Sequence, residues 1–286
     1  MVRSFIPQSL EEALKIRAEE HALPLAGGSD LMVQHRKGTG VVPEFSAPIM
    51  IISGLKELKG IRREDDGTVV IGALTTSAEI AESELVPYFV RKAASLMGAI
   101  SLRNSATIGG NIGNASPKGD LPQPLILLDA SVVLKSINGE RTVLLDDFIK
   151  GSKKTELRDD EIITEVRIPK CEWTYAYYRK IGTRKANAIS KLSLSALILV
   201  EDGVIRDFRV SSGAAGPKVA RCRENEEKLI GKTIADIEGL KEEILDGHNN
   251  VISPHAMPEW RRNTTRRMLD HFLTEVASGA PAGIIE

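Results

Sequence analysis

The sequence predicts an α+β protein of two domains. Two turn dipeptides, Asp66-Gly67 and Asn138-Gly139, each separate short strand-like runs, which is typical of antiparallel hairpins. Apolar residues at helical spacing predict helices before, between and after these hairpins. The length of 286 residues suits two domains. The character of the sequence changes near residues 171–174, so we predict one domain of residues 1–172 and a second of residues 173–286.

The elements of the first domain follow from local signals. Ser9 and Glu12 form a capping-box pattern before a helix. Pro122 suits the first turn of another helix, and Pro169 ends the last strand. In chain order the patterns predict a helix at 10–20, a strand at 23–26, a helix at 31–35, a strand at 48–52, a hairpin of 61–63 with 68–71, helices at 75–82, 85–98 and 121–128, a hairpin of 131–136 with 140–144 and a strand at 162–168.

The second domain begins with strand patterns and ends with helical ones. A strand is predicted at 175–181, and Asp202-Gly203 predicts a turn between strands at 192–200 and 204–210. A helix is predicted at 218–229, ending at Gly231. Amphipathic helical patterns continue from Thr233 onward.

Two glycine-rich segments form the candidate binding site. The first is Leu25-Ala26-Gly27-Gly28-Ser29-Asp30, and the second spans 103–120 with Gly109-Gly110 near its centre. Glycine lets the backbone approach a ligand closely, and Asn, Ser and Thr add short hydrogen-bonding side chains. Each glycine pair is predicted to follow a short strand, so we expect the two segments to grip a nucleotide diphosphate from both sides. Either segment alone is more typical of a mobile surface loop.

Asp120, at the end of the second segment, has two interpretations. Its carboxylate would repel a phosphate but suits a ribose or ribityl hydroxyl, from which it can accept a hydrogen bond. Alternatively, Asp120 caps the helix predicted at 121–128. Its position in the sequence favours neither interpretation.

Composition and missing motifs exclude several classes of protein. A formal net charge of −1 indicates no nucleic-acid or membrane-surface partner. The sequence contains no P-loop, Rossmann fingerprint, H-E-x-x-H motif or nucleophile elbow, and its five histidines are scattered. Cys171 and Cys222 cannot by themselves hold an iron–sulfur cluster or a structural zinc. With no targeting signal and no transmembrane-length apolar run, we predict a cytoplasmic protein.

Four motifs, in their order and spacing, resemble one family. They are AGGSDL at 26–31, RNSATIGGNIGNASPKGD at 103–120 with LLDASVVL at 127–134, YRKIGTRKANAIS at 178–190 and GAAGPKVARCRENEEKLIGK at 213–232. Over essentially its whole length the chain resembles the FAD-binding (medium) subunits of the molybdenum hydroxylases, which include xanthine, carbon monoxide and nicotinate dehydrogenases. The resemblance implies the vanillyl-alcohol-oxidase-like (PCMH) fold, with FAD-binding subdomains at about 1–54 and 55–172, followed by a smaller C-terminal α+β domain.

The resemblance also implies the cofactor-binding residues. The two glycine segments would hold the diphosphate of FAD, Asp120 would meet a sugar-type hydroxyl, and Lys180 would make a polar contact. Apolar contacts would come from residues near the adenine and the isoalloxazine ring, although these could instead belong to the core, and Lys180 could instead form an exposed ion pair. The set is Leu25, Ala26, Gly27, Gly28, Ser29, Asp30, Met97, Ala106, Thr107, Ile108, Gly109, Gly110, Asn111, Asp120, Ile162, Ile163, Lys180 and Ile189, with Ile162 or Ile163 near the adenine and Ile189 near the ring.

Electron transfer is the function that the resemblance implies. A large partner subunit would carry a molybdenum cofactor and a small partner subunit two [2Fe–2S] clusters, which would pass electrons to FAD on this chain and on to an acceptor such as NAD. No catalytic residue or metal ligand is expected in this chain. Two alternatives stay open: a self-contained FAD-dependent oxidoreductase acting on a small substrate, and an assembly subunit without flavin. An aromatic content of 4% counts against the first, and two intact glycine segments count against the second.

Overall fold

A computed structural model describes residues 2–286 as an α+β chain of strands β1–β15 and helices α1–α11. The strands are β1 (Ser4–Phe5), β2 (Leu23–Leu25), β3 (Ile49–Ile51), β4 (Ile61–Arg63), β5 (Val69–Gly72), β6 (Ser131–Ser136), β7 (Gly139–Leu144), β8 (Ile149–Gly151), β9 (Lys154–Thr155), β10 (Ile162–Ile168), β11 (Tyr175–Ile181), β12 (Leu192–Glu201), β13 (Val204–Gly213), β14 (Ala220–Arg221) and β15 (Gly283–Ile285). The helices are α1 (Leu10–Glu20), α2 (Leu31–Gln34), α3 (Ser77–Glu82), α4 (Tyr88–Ser95), α5 (Ile100–Arg103), α6 (Ile108–Gly113), α7 (Pro122–Leu127), α8 (Leu145–Phe148), α9 (Arg223–Glu226), α10 (Ile237–Asn250) and α11 (Pro258–Ala277), with short 3-10 helices at Lys56–Leu58, Glu227–Leu229 and Ile234–Asp236.

These elements form two compact units whose sequences interleave. The first unit consists of residues 2–86, Met97–Ser116 and Asp129–Lys170, and the second of Pro87–Leu96, Pro117–Leu128 and Cys171–Glu286. Two short segments that carry α4 and α7 therefore belong to the second unit although they lie within the sequence of the first. The domain limits predicted above, at 172 and 173, stay a prediction.

The first unit is built on two main sheets, and β8 and β9 form a separate two-stranded antiparallel sheet. Strands β1, β3 and β2 form a parallel sheet in that order, and β4-β5-β10-β6-β7 form an antiparallel one. Both predicted hairpins are confirmed, with β4 paired to β5 and β6 paired to β7. Helix α1 begins where predicted, because the Ser9 hydroxyl accepts a hydrogen bond from the Glu12 amide at 3.2 Å. Its apolar side packs Ala13 and Leu14 into a buried cluster with Met50.

The second unit is a single sheet covered by helices. The strand order is β14-β13-β12-β11-β15, in which β15 runs parallel to β11 and the other neighbours are antiparallel. The large side chains of Tyr177, Phe208 and Phe272 are buried between this sheet and the helices of the unit. None of the helices within residues 2–286 combines the length and the apolar character needed to cross a membrane.

Helix α7 is fixed to the sheet of the second unit by a buried polar network. The Gln123 side-chain amide donates to the backbone carbonyl of Ser211 at 3.0 Å and to its hydroxyl at 2.7 Å. The Ser195 hydroxyl donates to the Gln123 carbonyl oxygen at 3.2 Å. All three side chains are buried, so each bond satisfies a polar group that has no access to water.

Three predictions of local structure are wrong or incomplete. The helix predicted at 218–229 begins instead with strand β14, because residues 220–221 pair with β13 before α9 starts. The helix predicted at 85–98 is limited to Tyr88–Ser95, after Pro87 at its N-cap. The C-terminal strand β15 was not predicted, since three residues give too little periodicity to distinguish a strand from a loop.

His248 on α10 is expected to make the stability of the second unit depend on pH. Its ring is fully buried, Nε2 lies 2.8 Å from the Ser212 hydroxyl, and Nδ1 has no partner within residues 2–286. Burial lowers the pKa of His248 from 6.5 to about 4. The unfolded chain therefore takes up a proton that the folded chain excludes, so stability is retained above pH 6.5 and lost as the pH falls toward 4.

We expect the free energy of unfolding to fall by about 3 kcal/mol between pH 7 and pH 4 on account of His248. Urea unfolding at several pH values measures this slope. A His248→Asn variant should lose it, whereas the same change at the exposed His255 should retain it. Equal slopes in the two variants would contradict the assignment.

Candidate functional site

A cavity of about 350 Å³ lies in the first unit, and both glycine-rich segments line it. Its wall brings together the end of β2, the start of α2, helix α6, the turn between β8 and β9 and the start of β10. The lining residues are Leu23, Pro24, Leu25, Ala26, Gly27, Gly28, Ser29, Asp30, Leu31, Gln34, Ile52, Ala73, Leu74, Ala106, Thr107, Gly109, Gly110, Asn111, Gly113, Asn114, Lys153, Leu157, Ile162 and Ile163. Thirteen of the eighteen residues predicted from the sequence are among them.

The first glycine segment leaves its sheet directly at the cavity. Strand β2 ends at Leu25, whose carbonyl still accepts a hydrogen bond from the Ile52 amide at 3.0 Å. Gly27 then passes so close to the other segment that a Cβ at this position would lie 1.6 Å from the carbonyl oxygen of Ser105. Gly28 has a φ of +67°, which a side chain would strain. The two glycines therefore make the close approach of the segments possible.

Five consecutive backbone amides of this segment are available to a ligand. The N–H groups of residues 27–31 donate no hydrogen bond to any other group within residues 2–286. A backbone N–H is a strong donor that is nearly always paired, either with protein or with solvent or ligand. Because all five residues line a concave site, their amides are suited to bind an anion there. Helix α2, which follows, has only four residues, so the individual amides and not a helix dipole provide the attraction.

The second glycine segment differs from its prediction. Gly109 and Gly110 do not follow a strand but lie within helix α6, which Thr107 caps. The Thr107 hydroxyl accepts a hydrogen bond from the Gly110 amide at 3.1 Å, and its carbonyl accepts one from the Asn111 amide at 2.9 Å. The Thr107 cap stabilises the start of α6, which the two glycines would otherwise destabilise.

Contacts with the chain after β5 hold the start of α6 in place. The amides of Ile108 and Gly109 donate to the carbonyls of Thr75 at 3.0 Å and Ala73 at 2.8 Å. A Cβ on Gly109 would lie 2.7 Å from the Cβ of Ala73. The amides of residues 108–111 therefore all donate to groups within the protein. This segment contributes close packing and the Asn111 side chain to the cavity, but no second set of free amides. The Asn111 Oδ1 atom is buried with no partner within residues 2–286.

A polar quartet of Asp30, Gln34, Asn114 and Lys153 lies at the cavity wall. The Gln34 amide nitrogen donates to Asp30 Oδ2 at 2.6 Å and to Asn114 Oδ1 at 2.7 Å. The Lys153 ammonium donates to Asn114 Oδ1 at 2.6 Å and lies 3.2 Å from Asp30 Oδ2, to which Asn114 also donates. Only Asp30 is among the residues predicted from the sequence: Asn114 lies in the second glycine segment but was not selected, and Gln34 and Lys153 come from segments without a recognisable ligand motif.

Of the remaining predicted residues of the first unit, some line the cavity and others do not. Ile162 and Ile163 at the start of β10 line it, as does Ala106. Ile108 is fully buried and does not line it. Met97 is also buried and outside the lining, but its sulfur lies 3.7 Å from the Asn111 side-chain nitrogen.

Asp120 and Lys180 form a buried ion pair in the second unit. The Lys180 ammonium lies 2.8 Å from Asp120 Oδ2 and donates to the Leu96 carbonyl at 3.0 Å, and the two side chains are 6% and 8% exposed. Asp120 therefore does not cap α7, whose N-cap residue is Leu121, and Lys180 is not an exposed ion pair. Burial raises the pKa of Asp120 above its ordinary value, while Lys180 acts in the opposite direction.

Two buried oxygen atoms beside this pair have no partner within residues 2–286. They are Oδ1 of Asp120 and the hydroxyl of Tyr178. Burial raises the pKa of Tyr178 well above its ordinary value, and the nearby charge of Asp120 adds to the effect. Ile189, also predicted, lies in the same unit with its side chain exposed. The described chain holds no group of three or more His, Cys, Asp or Glu side chains suited to a metal ion.

Comparison with protein families gives two matches that together cover most of the chain. Residues 1–171 match the model described as the FAD binding domain in molybdopterin dehydrogenase. Residues 176–276 match the model described as the CO dehydrogenase flavoprotein C-terminal domain.

Individual relatives are similar over most of their length. The glyceraldehyde dehydrogenase medium chain of Sulfolobus acidocaldarius is 31% identical over 92% of this chain and 93% of its own. The nicotinate dehydrogenase FAD-subunit of Eubacterium barkeri is 35% identical over 79% of each. A chain of carbon monoxide dehydrogenase from Hydrogenophaga pseudoflava, solved without the Mo-pyranopterin moiety of its cofactor, superposes with a TM-score of 0.82 at 26% identity over 98% of both chains. The predicted fold class, an FAD-binding domain with a C-terminal α+β domain, is confirmed.

Proposed function

The chain belongs to the family of FAD-binding domains of molybdopterin dehydrogenases, and we propose that it is the electron-transfer flavoprotein subunit of a multi-subunit molybdenum hydroxylase. In this proposal a large partner subunit holds the molybdenum cofactor, and [2Fe–2S] clusters on a small partner subunit feed electrons through the FAD of this chain to an acceptor such as NAD. FAD supplies the redox chemistry when bound. The residues of this chain bind and orient it.

The observation that carries the proposal is the row of five free amides at residues 27–31. FAD contains a diphosphate, and clustered backbone N–H groups are well suited to bind its oxygens. The cavity beside these amides is lined mostly by apolar residues and glycines, which is typical of a cofactor site. The unpartnered Oδ1 of Asn111 offers one acceptor to a donor group of the ligand. The residues present therefore fit the cofactor that the family binds.

We assign the other predicted residues in keeping with this function. Ile162 and Ile163 supply apolar wall beside the amides. Asp120 and Lys180, with the unpartnered Asp120 oxygen, suit the hydroxyl groups of a ribityl or ribose chain, as the family resemblance implies. The roles of Met97, Ile108 and Ile189 depend on the resemblance alone.

The experiment that tests this function is isolation of the tagged chain from its native host. We expect a yellow protein that releases FAD and not FMN on denaturation, together with a molybdenum-containing large subunit and a [2Fe–2S] small subunit. Flavin is identified by chromatography, and metals are measured on the same sample. Protein that is colourless and cannot be reconstituted with FAD would contradict flavin binding and support an assembly subunit. A yellow protein isolated alone that oxidises a small substrate would support the self-contained oxidoreductase.

A further inference from the structure

Only two residues that line the cavity carry a full charge, and the two charges are opposite. They are Asp30 and Lys153. Asp30 lies beside the five free amides, where its carboxylate opposes the binding of any anion. A diphosphate brings about two further negative charges, which the partial charges of backbone amides offset only in part. Lys153 is therefore the one ionised group lining the cavity that can neutralise a bound diphosphate.

The turn that carries Lys153 is fixed to the cavity wall. The Lys153 amide donates to the Ala115 carbonyl at 2.9 Å, and the residue has a φ of +59°. This left-handed conformation is unusual for a lysine, because a Cβ is disfavoured there. The next residue, Lys154, has the same charge but does not line the cavity. The fold thus places one of two adjacent lysines at the site.

The ammonium of Lys153 has capacity left for a ligand. It carries three N–H donors. Asn114 Oδ1 and Asp30 Oδ2 account for two of them, at 2.6 and 3.2 Å. The side chain is 44% exposed, so the third donor is not enclosed by protein.

We propose that Lys153 binds the diphosphate of the cofactor and, through its contact with Asp30, compensates for the acidic residue of the glycine segment. This inference depends on the proposed function for the identity of the ligand, but it extends the site to a segment that no glycine motif marks. The quartet of Asp30, Gln34, Asn114 and Lys153 keeps the ammonium in position. Affinity for phosphate-bearing ligands should then depend on Lys153 and on ionic strength.

The test compares Lys153→Ala with Lys154→Ala in the full chain after removal of bound flavin. Titration with FAD, followed by quenching of flavin fluorescence, should give a Kd weakened about tenfold by Lys153→Ala, as expected for loss of one charge-assisted hydrogen bond. Lys154→Ala should leave the Kd unchanged. The Kd of Lys153→Ala should also vary less with salt than that of the wild type. A Lys153→Arg variant keeps the charge and should bind within a fewfold of the wild type, and thermal unfolding checks that each variant is folded.

ADP, which has the diphosphate without the flavin, separates this inference from the proposed function. If the wild type binds neither FAD nor any other flavin, the proposed function fails. In that case, calorimetric titration with ADP tests the role of Lys153 independently. Weaker ADP binding in Lys153→Ala than in Lys154→Ala supports the inference. Equal Kd values of the two variants for FAD, or for ADP where FAD does not bind, would overturn it.

Discussion

A Gly27→Ala variant is expected to lose FAD binding by at least a factor of about one hundred, since losing two charge-assisted hydrogen bonds at about 1.5–3 kcal/mol each has this effect. The new Cβ would lie 1.6 Å from the carbonyl oxygen and 2.5 Å from the carbonyl carbon of Ser105. Both are backbone atoms of the neighbouring segment, so neither can move aside as a flexible side chain would. The segment at 27–31 must shift instead, which displaces its free amides from the diphosphate.

The FAD Kd of the flavin-free chain measures this effect, with thermal unfolding as a check on the fold. Gly54→Ala is a matched control, because a Cβ there meets nothing within 4 Å and its backbone is not left-handed. The control should bind FAD like the wild type. A folded Gly27→Ala protein with unchanged Kd would show that the cofactor does not use these amides.

A Lys180→Met variant is expected to lose about 3–5 kcal/mol of unfolding free energy at pH 7, the loss that follows when one partner of a buried ion pair is removed. Lys180 and Asp120 are almost completely buried, so the remaining carboxylate would be left buried without its partner. The structural reason does not involve the cofactor, and the effect should therefore be present in flavin-free protein.

The pH dependence of this loss has a definite sign. Burial already raises the pKa of Asp120 in the folded chain, and removal of Lys180 takes away the main influence that lowers it. A group whose pKa is higher in the folded than in the unfolded state stabilises the fold when protonated and loses that contribution as the pH rises. The loss in Lys180→Met should therefore be smaller at pH 5 than at pH 7.

Urea unfolding at the two pH values tests this expectation. The double variant Asp120→Asn with Lys180→Met removes both charges and should recover much of the stability. Lys185→Met, at an exposed lysine of the same segment, is the control and should change little. A loss in Lys180→Met no larger than in this control would mean that the pair is not buried in solution.

Local chemistry explains what could be predicted from the sequence. The Asp66-Gly67 and Asn138-Gly139 hairpins were confirmed because the φ > 0 that such turns require selects these residues. The start of α1 was confirmed because the Ser9 side chain caps the helix. The strand before the first glycine segment was confirmed because its strand and turn signals are continuous in the sequence, and the segment lines the cavity.

What was not predicted depends on contacts between distant residues. Helix α6 contains three glycines, which argue for a loop, but the cap from Thr107 and the close fit of Gly109 against Ala73 stabilise a helix. Lys153 meets Asp30 across 123 positions of sequence, and no pattern links the two. The burial of Lys180 likewise depends on Asp120 and Leu96, neither of which its own segment specifies.

The interleaving of the two units affects how the protein is made. Helix α7 leaves the ribosome before any strand of the sheet to which its Gln123 side chain binds. Lys180, the partner of Asp120, follows Asp120 by 60 positions. In the nascent chain the Gln123 side chain of α7 therefore lacks its hydrogen-bond partners until Ser195 and Ser211 have been synthesised. For the same reason, a gene fragment that starts at residue 173 would encode a sheet without two of the helical segments that complete its unit.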